Sequence, residues 1–346
     1  MQRTIARSMT RALTRRSPRT VMLAAVLLAT VACDDATRPG PTAPITPIAP
    51  ALGVNNGGNN RRILFAGERD EDGNADIYSM NPDGSGVQRL TTDAALDIEP
   101  ALSPDGKRVA FVSTRHDLSG EIYTVNADGT GGVTRLTVNV GEGGVDESPT
   151  WSKDGKRIAF VSTRDDLAGE IYMMNAADGS DVTRLTTFDG EDSDPSWSPD
   201  GKQIAFVSTR DAGGTGRTEL YVLTIETRQV SRLTTEGAVV RDPSWAPGGK
   251  QIAFGMISSF EPPNGAPPVL SEDICVLTID SNRLTRITGG PGGTQDVDPS
   301  WSPDGKQIAF ATISDAGSDL ATMNADGSGV SLLPGQGVDL MPAWNR

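Results

Sequence analysis

The chain has 346 residues, with 39 glycines, 23 prolines and only 5% aromatic residues, a balance that favours many short elements joined by tight turns over long helices. Its 45 acidic against 31 basic residues give a net charge of −14, which repels nucleic acid and leaves none expected as a partner. The single histidine, His116, leaves almost nothing for a histidine-based metal site or a Ser-His-Asp triad, and no G-x-S-x-G elbow is present.

Residues 1–33 read as an export signal. Six arginines (Arg3, Arg7, Arg11, Arg15, Arg16, Arg19) and no acid precede an apolar run from Val21 to Val31, too short for a permanent membrane span of ~20 residues. The run ends Ala29-Thr30-Val31-Ala32-Cys33, which resembles a bacterial lipobox and implies lipidation of Cys33. Loss of this leader would take the net charge from −14 to −20. Residues 34–60 pass from Pro39, Pro41, Pro44, Pro47 and Pro50 into Asn55-Asn56-Gly57-Gly58-Asn59-Asn60, a composition that predicts a disordered tether. With Cys33 at the processing site, Cys275 stands alone, so no internal disulfide is expected.

From residue 61 to 346 one unit repeats. It reads DESPTWSKDGKRIAFVSTRDDLAGEIYMMNAADGSDVTRLTT from Asp146 to Thr187, and its proline marker falls at Pro100, Pro149, Pro195, Pro243, Pro299 and Pro342. The spacings of 49, 46, 48, 56 and 43 residues are those of propeller blades. Each unit holds four strand-like runs separated by Pro-Asp-Gly and Ala-Asp-Gly turns. Residues 61–92 lack a first strand, and Asp339-Leu340-Met341-Pro342-Ala343-Trp344 supplies one and then stops. The fold class predicted is all-β: a six-bladed β-propeller, four antiparallel strands per blade, closed by the C-terminal strand joining the N-terminal blade.

The phrase P-x-W-S-P-D-G-K-x-I-A-F, followed by S-x-R-D and D/E-I-Y-x-M-N-A-D-G, resembles the Pro-Asp propeller repeat of the TolB family. The resemblance implies a binding propeller of the cell envelope. The separate α/β domain that precedes the family's propeller has no counterpart in residues 34–60, so the family's partnerships do not transfer with the repeat.

Three residues before the marker proline stand Asp97, Asp146, Asp192, Asp296 and Asp339, with Val240 the exception. Because the first strand of a blade lines the central channel, these are the candidate ligand- or cation-binding carboxylates of a channel mouth. Two readings apply: capture of a cation or basic peptide, or ion pairing with the recurring Arg69, Arg115, Arg164 and Arg210, which Ser258 and Ser314 replace in two blades. Further acids, Glu99, Asp194, Asp242 and Asp298, stand one residue before the proline. Asp70, Asp72, Asn74 and Asp76 space oxygens at alternate positions as calcium loops do, but the glycine falls at the fourth place, leaving Ca2+ a weak cofactor candidate and no other cofactor expected. An insertion at 258–272, with four prolines, lengthens one loop on the same face.

The expectation is therefore a monomeric, lipid-anchored, exported protein of the bacterial envelope, facing the periplasm or cell surface. It would bind a protein, peptide or cell-wall component without catalysing a reaction. The alternative is a carboxylate-dependent, calcium-assisted glycan hydrolase or lyase.

Overall fold

The structure, a computed structural model, describes residues 62–344 except 70–72, 139–143, 214–215, 236, 261–268, 290–293, 315–316, 334 and 336–337. The expectations placed on residues 1–33, Cys33 among them, and on 34–60 lie outside the described residues.

Six four-stranded antiparallel sheets follow one another. Blades 2 to 6 begin with first strands Asp97–Leu102, Asp146–Trp151, Asp192–Trp197, Val239–Trp245 and Gln295–Trp301. Blade 1 takes its first strand, Val338–Trp344, from the C-terminal end of the propeller and its other three from the N-terminal end. There Ile63 pairs with Trp344 and Gly67 with Asp339, closing the ring as the shared repeat implies. Neighbouring first strands contact one another all the way round, which makes them the innermost layer. The strand starts define one face, and the turns between first and second strands define the opposite face.

The second strands are buried on both sides, so they read as continuous apolar runs. Phe65, Phe111, Phe160, Phe206, Phe254 and Phe310 lie at one position in each and are fully buried. The tryptophans fill the seams: Trp151 packs with Ala110 and Ile122 of blade 2 and Ile158 and Phe160 of blade 3, and Trp245 joins blades 4 and 5 in the same way. Cutting such a side chain back to alanine costs roughly 3–5 kcal/mol. Cys275 is buried in the blade 4–5 seam as a small apolar residue.

Turn chemistry repeats as faithfully as packing. In the Ser-Pro-Asp-Gly-Lys turns, Asp105, Asp154, Asp200 and Asp304 each accept the hydroxyl of the serine two residues earlier and the amide two residues later. The Ala-Asp-Gly turns press against the preceding blade. A Cβ on Gly179, at φ +73, would lie 2.0 Å from the Leu136 carbonyl oxygen, so glycine is required there by both backbone and contact.

Candidate functional site: the axial face

Five acid positions set the electrostatics of the face where first strands begin. Asp97, Asp146, Asp192 and Asp339 are buried, and each is clamped by the arginine that follows its own blade's second strand. The ion pairs are Arg115–Asp97 at 2.8 Å, Arg164–Asp146 at 3.0 Å, Arg210–Asp192 at 2.7 Å and Arg69–Asp339 at 2.5 Å. Each guanidinium also lies over the blade's Phe and Tyr rings, as Arg115 does at 5.6 Å from Phe111 and 5.1 Å from Tyr123. Burial pushes the Asp97 and Asp339 carboxyls up, against the opposing pull of their arginines. Four of the five aspartates thus have the arginine partner that the repeat supplies.

Asp296 is the different one. Ser314 stands where arginine would be, and the hydroxyls of Thr312 and Thr288 bond its carboxyl instead, while burial and the nearby Asp273 raise its pKa. In blade 5 Val240 replaces the aspartate altogether. The Thr218 hydroxyl takes over the link between blades, donating to the Val240 carbonyl at 2.6 Å and accepting the Val240 amide at 2.7 Å.

A second belt of ion pairs lies further out on the same face. In five of the six blades an acid of the third strand meets an arginine of the fourth: Asp76–Arg89 at 2.5 Å, Glu170–Arg184 and Glu219–Arg232 both at 2.9 Å, with Glu121–Arg135 and Asp273–Arg286 alike. Asp76 is therefore committed to Arg89 and to the Thr91 hydroxyl, and burial holds its pKa up at about 6. Of the other calcium-loop candidates, Asn74 is half-buried beside the start of this strand, whereas Asp70 and Asp72 lie outside the described residues. Among the described residues no group of three or more His, Cys, Asp or Glu is arranged to hold a metal ion.

The residues before the proline make a ring. Glu99, Ser148, Asp194, Asp242, Asp298 and Met341 all have left-handed backbones, with φ between 52° and 55°. Each sits at a bulge where the first strand slips register against the second. A non-glycine residue in this region is strained by ~1 kcal/mol or more, and here the strain recurs six times at one place. The side chains lean round the ring. The Ser148 amide donates to Glu99 Oε2 at 2.6 Å, the Asp242 amide to Asp194 Oδ2 at 3.4 Å, and the Glu99 amide to Met341 Sδ at 3.3 Å. Glu99 and Asp194 are so held between neighbouring first strands. Beside Asp194 stands Glu191. Its pKa is pushed up to about 7, first by burial and then by Asp194, with Arg241 pulling the other way.

Sequence reasoning expected an acidic ring from these four acids but not the left-handed backbone they share, nor Ser148 and Met341 at the same position, nor Glu191 and Arg241 beside it. The proline marker was the available signal, since the position before it is special in every blade. The 258–272 insertion lengthens the blade 5 hairpin, whose two strands run Gln251–Phe260 and Val269–Thr278 and pair from Gln251 with Thr278 to Phe260 with Val269; residues 261–268 lie outside the described residues.

Fold and ring together define a closed six-bladed propeller whose innermost strands share one left-handed position, acidic in four blades. Residues 140–346 match the TolB beta propeller domain, and the chain belongs to that family. A stretch of 44 residues is 43% identical to "Protein TolB homolog" of Chlorobium luteolum, covering 13% of this chain and 10% of that protein. The chain thus spans about a tenth of the length of the curated relatives it matches. Among solved structures, TolB from Acinetobacter baumannii superposes with a TM-score of 0.64 at 25% identity, over 82% of this chain and 66% of that one. A TolB from Agrobacterium tumefaciens, described as putative, gives 0.62 at 20% identity, over 83% and 92%, and shares the fold.

Proposed function

We propose that this protein is a non-catalytic binding or scaffold protein of the bacterial cell envelope, anchored by a lipid on Cys33, which takes the basic segment of an envelope protein or peptide at the axial face. The observation that carries the reading is the ring: Glu99, Asp194, Asp242 and Asp298 share one left-handed backbone position on the innermost strands, and Glu99 and Asp194 each accept the amide at that position in the next blade. Carboxylates gathered in a concave, low-dielectric opening focus a field that concentrates cations. Asp97, Asp146, Asp192 and Asp339 form the wall behind the ring, each neutralised by its arginine, and Asp296 adds a carboxyl without one. Membership of the TolB beta propeller family supports the envelope and binding parts of the reading.

The arginine pairing speaks against Asp97, Asp146, Asp192 and Asp339 as the acids of a glycan hydrolase or lyase, which needs two carboxyl groups free to exchange protons and face a sugar. A thermal-shift experiment tests the proposal, since a ligand that binds only the folded state must stabilise it. A lysine-rich octapeptide should raise the melting temperature of the wild type, and the triple variant Asp194→Asn, Asp242→Asn, Asp298→Asn should lose that rise. Calcium chloride serves as the bare-cation arm. If neither probe moves the melting temperature, the axial face is not a cation-binding surface.

A further inference from the structure

All six lysines of the chain, Lys107, Lys153, Lys156, Lys202, Lys250 and Lys306, lie in the turns between first and second strands. These turns are on the face opposite the carboxylate ring, and they sit on the inner layer. Successive turns touch. A Cβ on Gly155 would lie 3.7 Å from Pro104 of the preceding blade, one on Gly201 3.8 Å from Lys153, one on Gly249 3.8 Å from Pro199, and one on Gly305 3.2 Å from Pro247. The lysines are therefore one continuous arc around the second axial opening.

Their chemistry differs from that of the arginines. Every ion pair between described residues uses arginine, and all six lysine side chains are exposed and enter no ion pair or side-chain hydrogen bond. The aspartates of the same turns fold back onto their own serine hydroxyls and amides, so the carboxylates close the turns while the ammonium groups point outward. Blade 5 omits even that acid, reading Ala246-Pro247-Gly248-Gly249-Lys250. The charges of Lys107, Lys156 and Lys202 are felt by their own turn's aspartate without ion-pair contact, and the ammonium groups stay exposed to an outside ligand.

Around this arc the charge reverses. The outer turns of the same face carry exposed Asp83, Asp128, Asp178 and Asp326. A flat anionic membrane pressed on this face would meet the acidic rim together with the lysines, because the two kinds of turn are two strand spacings apart in a blade, ~10 Å, close to the ~8 Å Debye length at physiological salt. A narrow anionic ligand entering at the axis meets the lysines alone.

We propose that the lysine arc is a second binding surface, opposite the carboxylate ring, which takes an acidic peptide segment of a partner protein at the axial opening. The molecule then has two axial faces of opposite preference.

Fluorescence anisotropy of a fluorescein-labelled octaglutamate with the full chain tests this. The wild type should bind it, more weakly as salt rises. The quadruple variant Lys156→Gln, Lys202→Gln, Lys250→Gln, Lys306→Gln should bind roughly tenfold more weakly, the product of four exposed ion pairs each worth about a factor of two. The matching quadruple Lys→Arg variant should bind as the wild type does. Unchanged melting temperatures in both variants show that folding is intact, as expected for side chains that touch nothing. Equal octaglutamate binding by wild type and glutamine variant overturns the proposal. So does lysine-dependent sedimentation with phosphatidylglycerol vesicles when octaglutamate is not bound, because that result makes the arc a membrane contact.

Discussion

Glu191 shows how one side chain reports on the axial ring. Its carboxyl, ordinarily near 4.5, is held at about 7 by burial and by Asp194, so between those pH values the folded chain keeps a proton that the unfolded chain has released. The sign follows: this contribution to stability is complete below about pH 4.5 and is lost as pH rises through 7. Glu191→Gln should flatten that dependence, removing a difference of roughly 3 kcal/mol between pH 4.5 and pH 8 as read from urea midpoints. A variant whose pH dependence matches the wild type would place Glu191 in water rather than beside the ring. At this scale the sequence was partly legible. Asp97 and Arg115 recur together, so their pairing could be expected from the repeat alone. The left-handed position could not, because Glu, Ser, Asp and Met all occupy it and none of them marks a backbone that only a bulge imposes.

Strands and turns were the most legible elements, because each of their signals is local. Pro-Asp-Gly supplies the turn, the Ile-Ala-Phe run the buried second strand, and the missing first strand near residue 61 its own replacement at 338–344. The illegible part was the bulge. It inserts a residue before the proline, so Asp97 and its counterparts bond the arginine of their own blade while Glu99 reaches the Ser148 amide of the next. The closing strand carries a direct prediction. A chain ending at residue 337 bares the edge of Ile63–Glu68 and removes the buried Leu340, Met341 and Trp344. It should unfold at lower urea and self-associate in light scattering, since an open edge templates pairing with another chain. A monomer with the wild-type midpoint would show that the other five blades hold the ring unaided.

For the whole molecule, two belts of buried ion pairs stiffen one face, and lysines with no partner occupy the other. On the proposed reading the molecule is a rigid adaptor that presents two openings. The lipid anchor proposed at Cys33 has its own test. Cys33→Ser should move the protein from the membrane fraction to the soluble fraction of cells while leaving the melting temperature of the propeller unchanged, and equal fractionation would remove the lipid from the proposal.

The blade shared between the two ends of the propeller also sets a clock on folding. Ribosomes make residues 338–344 after every other strand, so no nascent chain can complete its ring, however long synthesis pauses. Until those residues emerge, blade 1 has only three strands and its innermost place is empty. A propeller so arranged reaches its final shape only after this closing strand has been delivered.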